Sequence, residues 1–298
     1  MRTLIYVLFV SLLLPSLAMA QIDDRTQEAY GLYKLGMLKD AAEKIDEVVE
    51  SKNGKTDAQA WHVRGFIYKD IYAKLENSAI NSKSQEEAVR SFKTSMELDE
   101  ERKLIEMNQL ALKFLGVSYF NHASEIIDRH NVYTIDRAND NYLKYKSLMT
   151  FLYPDSSLKS KDVEFHLAMS TAYRKIYDEE PQNRAEFFEK SNNSLLMVLD
   201  LDPNNWAANY SYSVSFYNKG ARNLQQLPNT ESIIDVYAIS SESMRSIEIA
   251  LPFMLKAYEI DPDKIESIKG LKWILFNLHQ EEESKKMSDL ERLKESQR

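Results

Sequence analysis

Five histidines, His62, His122, His130, His166 and His279, are the side chains best suited to metal ligation or to proton transfer near neutral pH. None pairs with another in the His-Glu-x-x-His spacing that sets two imidazoles on one helix face. The chain has no cysteine, which excludes the mixed histidine–thiolate zinc sites. Asp99-Glu100-Glu101 and Glu281-Glu282-Glu283 are acidic runs of the kind that form solvated helix ends. There is no Gly-x-Ser-x-Gly turn to present a serine nucleophile and no glycine-rich loop to cradle phosphate. Carboxylate pairs abound in a chain this acidic, so pairing alone defines no acid–base couple. These residues imply no catalytic residue, no metal and no cofactor. Binding is the expected work, and His62 and His166 are expected at a surface or groove.

A binding surface must be built from elements, and the composition says which. Seven glycines and seven prolines in 298 residues are too few for a sheet protein, which needs turn residues about every ten positions. Apolar residues recur instead at three- and four-residue spacing, the period of an amphipathic helix. Arg2, the apolar run Leu4 to Leu14 and Ala18-Met19-Ala20 form the three parts of a secretory signal peptide (residues 1–20) cleaved before Gln21. That run is shorter than the ~20 residues of a spanning helix, so the mature chain is expected to carry no transmembrane segment. Arg2 is the only charged residue removed, which leaves 37 basic against 46 acidic residues, a net charge of −9. Spread acidity of this kind argues against nucleic acid and against anionic lipid. Export without a single cysteine fits a bacterial envelope protein better than a eukaryotic secreted domain, and the periplasm is the expected compartment. Asn192-Asn193-Ser194 and Asn209-Tyr210-Ser211 match a glycosylation sequon and are there chance matches.

Four stretches are self-similar. Trp61-x-x-Arg64-Gly65-x-x-Tyr68 is echoed by Leu115-Gly116-x-x-Tyr119. Ser191-x-x-x-Leu195-x-x-Val198 runs into Pro203, and Ala250-x-x-x-Met254-x-x-Ala257 runs into Pro262. The first two resemble the first helix, and the last two the second helix, of the tetratricopeptide repeat family, here an exported bacterial member. The resemblance implies an all-α, α-α superhelix of about five or six stacked antiparallel helical hairpins over residues 21–298. In that register Gly65 and Gly116 sit where two helices touch, with Ala88, Ala250 and Ala257 facing glycine from second helices. Trp61, Tyr68, Tyr119, Phe92, Leu195 and Met254 fill the space between hairpins.

The other units follow less regularly. A first helix around Thr26 to Leu35 precedes a second beginning at Gly36, and Glu86 to Ser95 forms another second helix. Tyr142 to Tyr153 closes at Pro154, and Val163 to Tyr177 is a first helix without the expected glycine. Trp206 to Phe216 turns at Asn218-Lys219-Gly220, and Glu266 to Leu278 with Ser284 to Leu293 makes a polar-faced last hairpin. The family period is ~34 residues, yet Pro203 and Pro262 are 59 positions apart and Gly65 and Gly116 are 51 apart. Insertions near 69–85, 121–140 and 221–245 make up the difference, each inside a unit. The first lengthens its helix, and the third pairs a Gln225-to-Thr230 loop with an apolar stretch from Ile233 to Ile239.

The register implies a concave face lined by first helices, carrying Tyr30, Tyr33, Phe66, Phe120, Asn121, Tyr210, Tyr217, Asn218, Trp273, Phe276 and Asn277. Aromatic bodies beside amides suit a protein or peptide laid in a groove. The family's two-lysine clamp for a terminal carboxylate has no counterpart among these residues. The leading expectation is a non-catalytic protein–protein interaction scaffold of the cell envelope. The alternative is a helical-repeat module that binds a small apolar or aromatic ligand as an accessory to uptake, for which a closed cavity among the insertions would be the sign. N-terminal sequencing of envelope material is expected to begin at Gln21, and retention of Met1 would refute the cleavage.

Overall fold

The computed structural model describes residues 24–227 and 232–297. The leader Met1 to Ala20, the cut before Gln21 and Pro228-Asn229-Thr230 of the third insertion lie outside them. Every regular element among the described residues is helical, as the composition predicts. The order is α1 (Asp24–Lys34), α2 (Leu38–Glu50), α3 (Ala58–Asp70), α4 (Lys83–Leu98), α5 (Ile105–Arg129), α6 (Arg137–Leu152), α7 (Lys159–Glu179), α8 (Ala185–Leu201), α9 (Trp206–Leu224), α10 (Ile233–Ile260), α11 (Ile265–Asn277) and α12 (Glu281–Ser296). None is long and apolar enough to cross a membrane.

Local chemistry sets many of the ends. Asp57, Ser82 and Asn205 each accept a hydrogen bond from a backbone N–H two or three residues on, at 2.9–3.0 Å, satisfying donors that the first helical turn leaves free. Gly36 ends α1 in the left-handed region at φ +78°, where the Gly36 N–H donates to the Tyr33 carbonyl and the Met37 N–H to the Leu32 carbonyl. That pair of bonds satisfies the last carbonyls of the helix. Within α2, Ala41, Ile45, Val48 and Val49 are buried while Lys39, Glu43 and Glu47 face water, the one-sided pattern that drives a surface helix onto a core.

The chain divides into two compact units, one through Ser118 and one from Tyr119. In the first, α1 pairs with α2 and α3 with α4, and α1, α2 and α3 share a core of Ala29, Ile45, Val48, Ala60 and Ile67. In the second, α7 pairs with α8, α9 with α10 and α11 with α12, while Phe120 of α5 rests on Tyr142 and Tyr145 of α6. The pairing is antiparallel. Ser213 donates to the Ala250 carbonyl at 2.7 Å, while seven residues later on α9 Gly220 meets Ile247 and Ser243, earlier on α10.

Small residues sit at these contacts, with partners that differ from the expected ones. A Cβ on Gly65 would lie 2.6 Å from the Phe92 ring, so Phe92 closes its own hairpin onto Gly65 rather than filling space between hairpins. The glycine is needed because a phenyl ring occupies the place of its missing side chain. Ala250 faces Ser213 rather than a glycine. In α7 and α8 the expected glycine is replaced by Ser170, whose hydroxyl lies 3.0 Å from that of Ser191. Gly220 is no turn: α9 runs on to Leu224, and Gly220 lies against the α10 backbone. A Cβ on Gly220 would lie 2.8 Å from the Ser243 carbonyl oxygen.

The insertions extend helices. The first continues α3 through a π turn at Ile71–Leu75, and the second lies in the last turns of α5 and the loop before α6. The third prolongs α9 and supplies the first turns of α10, where Ile233, Ile234 and Tyr237 are all more than 75 % exposed. Gly65→Leu is expected to lower stability by ~1–3 kcal/mol through overpacking against Phe92. Gly220→Ala should cost more than Gly270→Ala, because the Ser243 backbone cannot step aside whereas the Met254 methyl that faces Gly270 can. Thermal melting of the three variants checks both the magnitude and the order.

Candidate functional site

In the first unit Tyr33 of α1 reaches across to α3, its hydroxyl donating to Asp70 Oδ2 at 3.1 Å. Burial and the Asp70 charge together push the Tyr33 phenol well above its ordinary range. Asp70 is itself buried and holds two ammonium groups, Lys69 at 2.6 Å and Lys74 at 2.7 Å. Burial alone would raise its carboxyl, but Lys69 and Lys74 hold it below the usual carboxylate value. Lys74 stands four residues after Asp70, on the π turn Ile71–Leu75 that continues α3. Tyr30 packs with Tyr33 against the core. Phe66 sets its ring edge-to-face with His62 and Phe92, and Lys69 Nζ lies 5.6 Å from it.

In the second unit α9 and α11 lie against one another, as the register predicts. Asn277 Nδ2 donates to the Tyr217 hydroxyl at 3.2 Å and to the Trp273 carbonyl at 2.8 Å. Tyr210 and Tyr217 are half-buried and pack on the core of Ile247, Met254, Leu271 and Ile274. Burial pushes both phenols up, with Glu266 adding to the effect at Tyr210. Trp273 and Phe276 remain about half exposed, their rings edge-to-face at 6.1 Å. Asn218 is half-buried on α9 and Asn121 is exposed on α5. Phe120 is engaged with Tyr145 at 5.1 Å, with Lys161 5.1 Å from its ring.

In the second unit the register therefore brings Tyr217, Trp273, Phe276 and Asn277 together; in the first, Tyr30 and Tyr33 pack with one another while Phe66 packs on His62 and Phe92. Two features escape the sequence reading. Trp206 stacks on Tyr210 at 4.8 Å and 11°, with Lys264 Nζ 3.6 Å from the indole centroid; the i, i+4 spacing of two aromatics is the signal that could have found it. Asp70 with Lys69 and Lys74 carries no such signal, because its meaning depends on Tyr33 from another helix.

His62 is not at a surface. It is 3 % exposed, and its Nδ1 lies 2.7 Å from Asn108 Oδ1. Because Asn108 Nδ2 donates to Ser95 Oγ, its Oδ1 is the acceptor and His62 Nδ1 carries the proton. His166 is half-buried against Phe165. No group of three His, Asp or Glu side chains among the described residues is placed to hold a metal ion. Asn192 and Asn209, the two sequon asparagines, are both buried.

Antiparallel helical hairpins with small residues at their contacts define an all-α helical-repeat protein of tetratricopeptide-like architecture. No family model and no curated protein matches the chain. Among solved structures it is similar to a TPR repeats protein from Bacteroides fragilis, at 17% identity, with 84% of this chain and 96% of that one covered and a TM-score of 0.44. It is also similar to the S. pombe nuclear import adaptor Nro1, at 10% identity, with 91% and 93% covered and a TM-score of 0.37.

Burial lowers the His62 imidazole below its ordinary 6.5, outweighing the Asn108 bond and the Asp99 charge, and burial lowers His166 in the same sense. A base whose folded value is depressed binds protons more readily when unfolded. Stability is therefore complete above about pH 6.5 and falls as pH drops from there through the folded value. Denaturation midpoints between about pH 7.5 and pH 5.5 should fall, and less steeply in His62→Gln. Equal slopes in the two proteins would remove His62 as the cause.

Proposed function

We propose that this protein is a non-catalytic interaction scaffold, exported to the periplasm, that holds a protein or peptide on its first helices. The observation that carries the reading is the Trp273–Phe276 pair. Two large aromatic rings stand half exposed on α11 beside an amide, Asn277, already fixed by Tyr217. Rigid aromatics that are pre-positioned lose little entropy on binding and are the residues that most often carry interface energy. The exposed Ile233, Ile234 and Tyr237 at the start of α10 add a second apolar surface from an insertion. Export rests on the leader-like Met1-to-Ala20 segment.

A small apolar ligand is less well served. The depression beside Trp206 is lined otherwise by Asp261, Asp263, Lys264 and Glu266, whose charges disfavour an apolar guest. Tyr217 packs on the core, so its replacement would test the fold together with binding. Trp273 and Phe276 report on the surface alone. With the tagged chain from Gln21 onward as bait in native envelope extract, Trp273→Ala combined with Phe276→Ala should abolish capture of a specific partner. Each such anchor is worth ~2 kcal/mol when buried by a partner, and helical content by circular dichroism should stay unchanged. Capture at undiminished strength would move the site away from α11 and toward the start of α10.

A further inference from the structure

α5 carries an apolar stripe that its neighbours do not cover. Leu110, Phe114 and Val117 are 55 %, 43 % and 44 % exposed, and their spacing of four and then three residues puts them on one helix face. The surroundings of this stripe are charged in a particular way. Lys69 of α3 places its Nζ 5.9 Å from the Phe114 ring and 5.6 Å from the Phe66 ring, bridging the two helices. Lys74 follows one turn later on the π turn, and Lys113 stands exposed immediately before Phe114. Asp70 is the single carboxylate that answers Lys69 and Lys74, and Lys113 has no ion-pair partner among the described residues. Glu106 is exposed one turn before Leu110, so the acidic end of the stripe is its beginning and the basic end is at Phe114.

We infer that this α3–α5 face of the first unit takes an acidic segment of a protein partner, one whose aspartate or glutamate side chains alternate with apolar anchors. The inference rests on the scaffold reading and names the chemistry of one of its partners. Lys69, Lys74 and Lys113 outnumber Asp70 and the Glu106 that opens the stripe, which leaves a positive island around Phe114 in a chain of net charge −8. Such an island attracts carboxylates while the rest of the surface repels them, so charge selects where an acidic segment lands. The rings and Leu110 then supply apolar area to bury. Tyr33 contributes by position: its hydroxyl, with the two lysines, pins Asp70, and Asp70 in turn holds the Lys69 and Lys74 ammonium groups at fixed points. Preset charges of this kind lose less side-chain entropy on binding than free lysines do.

The test uses the full chain from Gln21 and three fluorescein-labelled synthetic peptides read by anisotropy. One has leucine and phenylalanine anchors separated by glutamates, one replaces every glutamate with lysine, and one keeps the glutamates but replaces the anchors with serine. The first should bind, with affinity that falls as salt rises, and the other two should not. Lys74→Glu with Lys113→Glu should weaken the first peptide about ten-fold or more, and Phe114→Ser should weaken it likewise. Both lysines and Phe114 are exposed, and the melting midpoint of each variant confirms that folding is intact. Equal binding of the lysine peptide, unchanged affinity in the Lys74/Lys113 variant, or no binding of any peptide overturns the assignment. Binding to anionic vesicles or single-stranded RNA that the same lysine substitutions abolish, without peptide binding, also overturns it. Partner capture that is lost with Trp273 and Phe276 but indifferent to Lys74 and Lys113 would leave the scaffold reading standing and remove this one. Capture indifferent to both pairs, with no peptide bound, would remove both.

Discussion

Two helices of a hairpin here approach until one of them can no longer carry a side chain at the crossing, and most of the structure follows from that approach. At Gly65 the vacated space is filled by the Phe92 ring, at Gly220 by Ile247 and the α10 backbone, and between α7 and α8 two serine hydroxyls meet instead. Close axes leave no room for bulky groups inside the hairpin except where glycine admits them. Large residues are therefore displaced toward neighbouring helices or toward solvent. Trp206, Tyr210, Tyr217 and Trp273 occupy such positions. The surface available for binding is thus a consequence of packing within each hairpin.

Close packing also buries polar groups, and the first unit shows how that cost is met. Arg64 is 4 % exposed. Its guanidinium donates to Asp46 at 2.6 Å and to Ser91 at 2.7 Å, pairs with Glu87 at 2.8 Å, and lies 4.4 Å from the Tyr68 ring. Tyr68 completes the circuit through its hydroxyl bond to Asp46, and burial with that bond raises its phenol to about 12. A buried guanidinium is tolerable only when its donors are met, and here α2, α3 and α4 each supply a partner. The network ties these three helices to one another, and removing any one partner would leave a buried charge uncompensated. His62, Asn108 and Ser95 do the same with neutral groups, joining α3, α5 and α4.

The two units offer different chemistry to a partner. On α11 the exposed rings stand beside an amide, and their neighbour Lys272 lies over Trp273 while bonding Glu291 of α12, so little net charge is offered. On α3 and α5 the exposed rings stand among ammonium groups with one shared carboxylate. Apolar area contributes affinity at both, whereas charge contributes selectivity mainly at the second. On the proposed reading two such faces suit two unlike segments, and the exposed Ile233, Ile234 and Tyr237 at the start of α10 add a third apolar surface.

Helix content, the hairpin alternation, the close contact at Gly65 and the neighbouring of α9 with α11 were legible in the sequence. Each is written in local spacing: apolar residues at helical period, glycine and tyrosine three apart, proline after a second helix. Such signals act within one or two turns and need no knowledge of distant partners. Gly220 reads locally as a turn, and only the approach of α10, whose contacting residues Ser243 and Ile247 lie more than twenty positions further on, makes it a helix contact. His62 reads as a groove residue until burial against another helix, where its Nδ1–H donates to Asn108 Oδ1, places it in the interior. Phe120 and Tyr210 read as open groups in sequence, and in the structure each is half-buried, against Tyr145 and against the α9–α11 core respectively. Lys69 and Asp70 are ordinary surface types in sequence and become a fixed charge cluster where Tyr33 of another helix and Lys74 meet Asp70. Local propensity determined where helices form; which side of each helix remains open, and with what charge, depended on contacts between residues tens of positions apart.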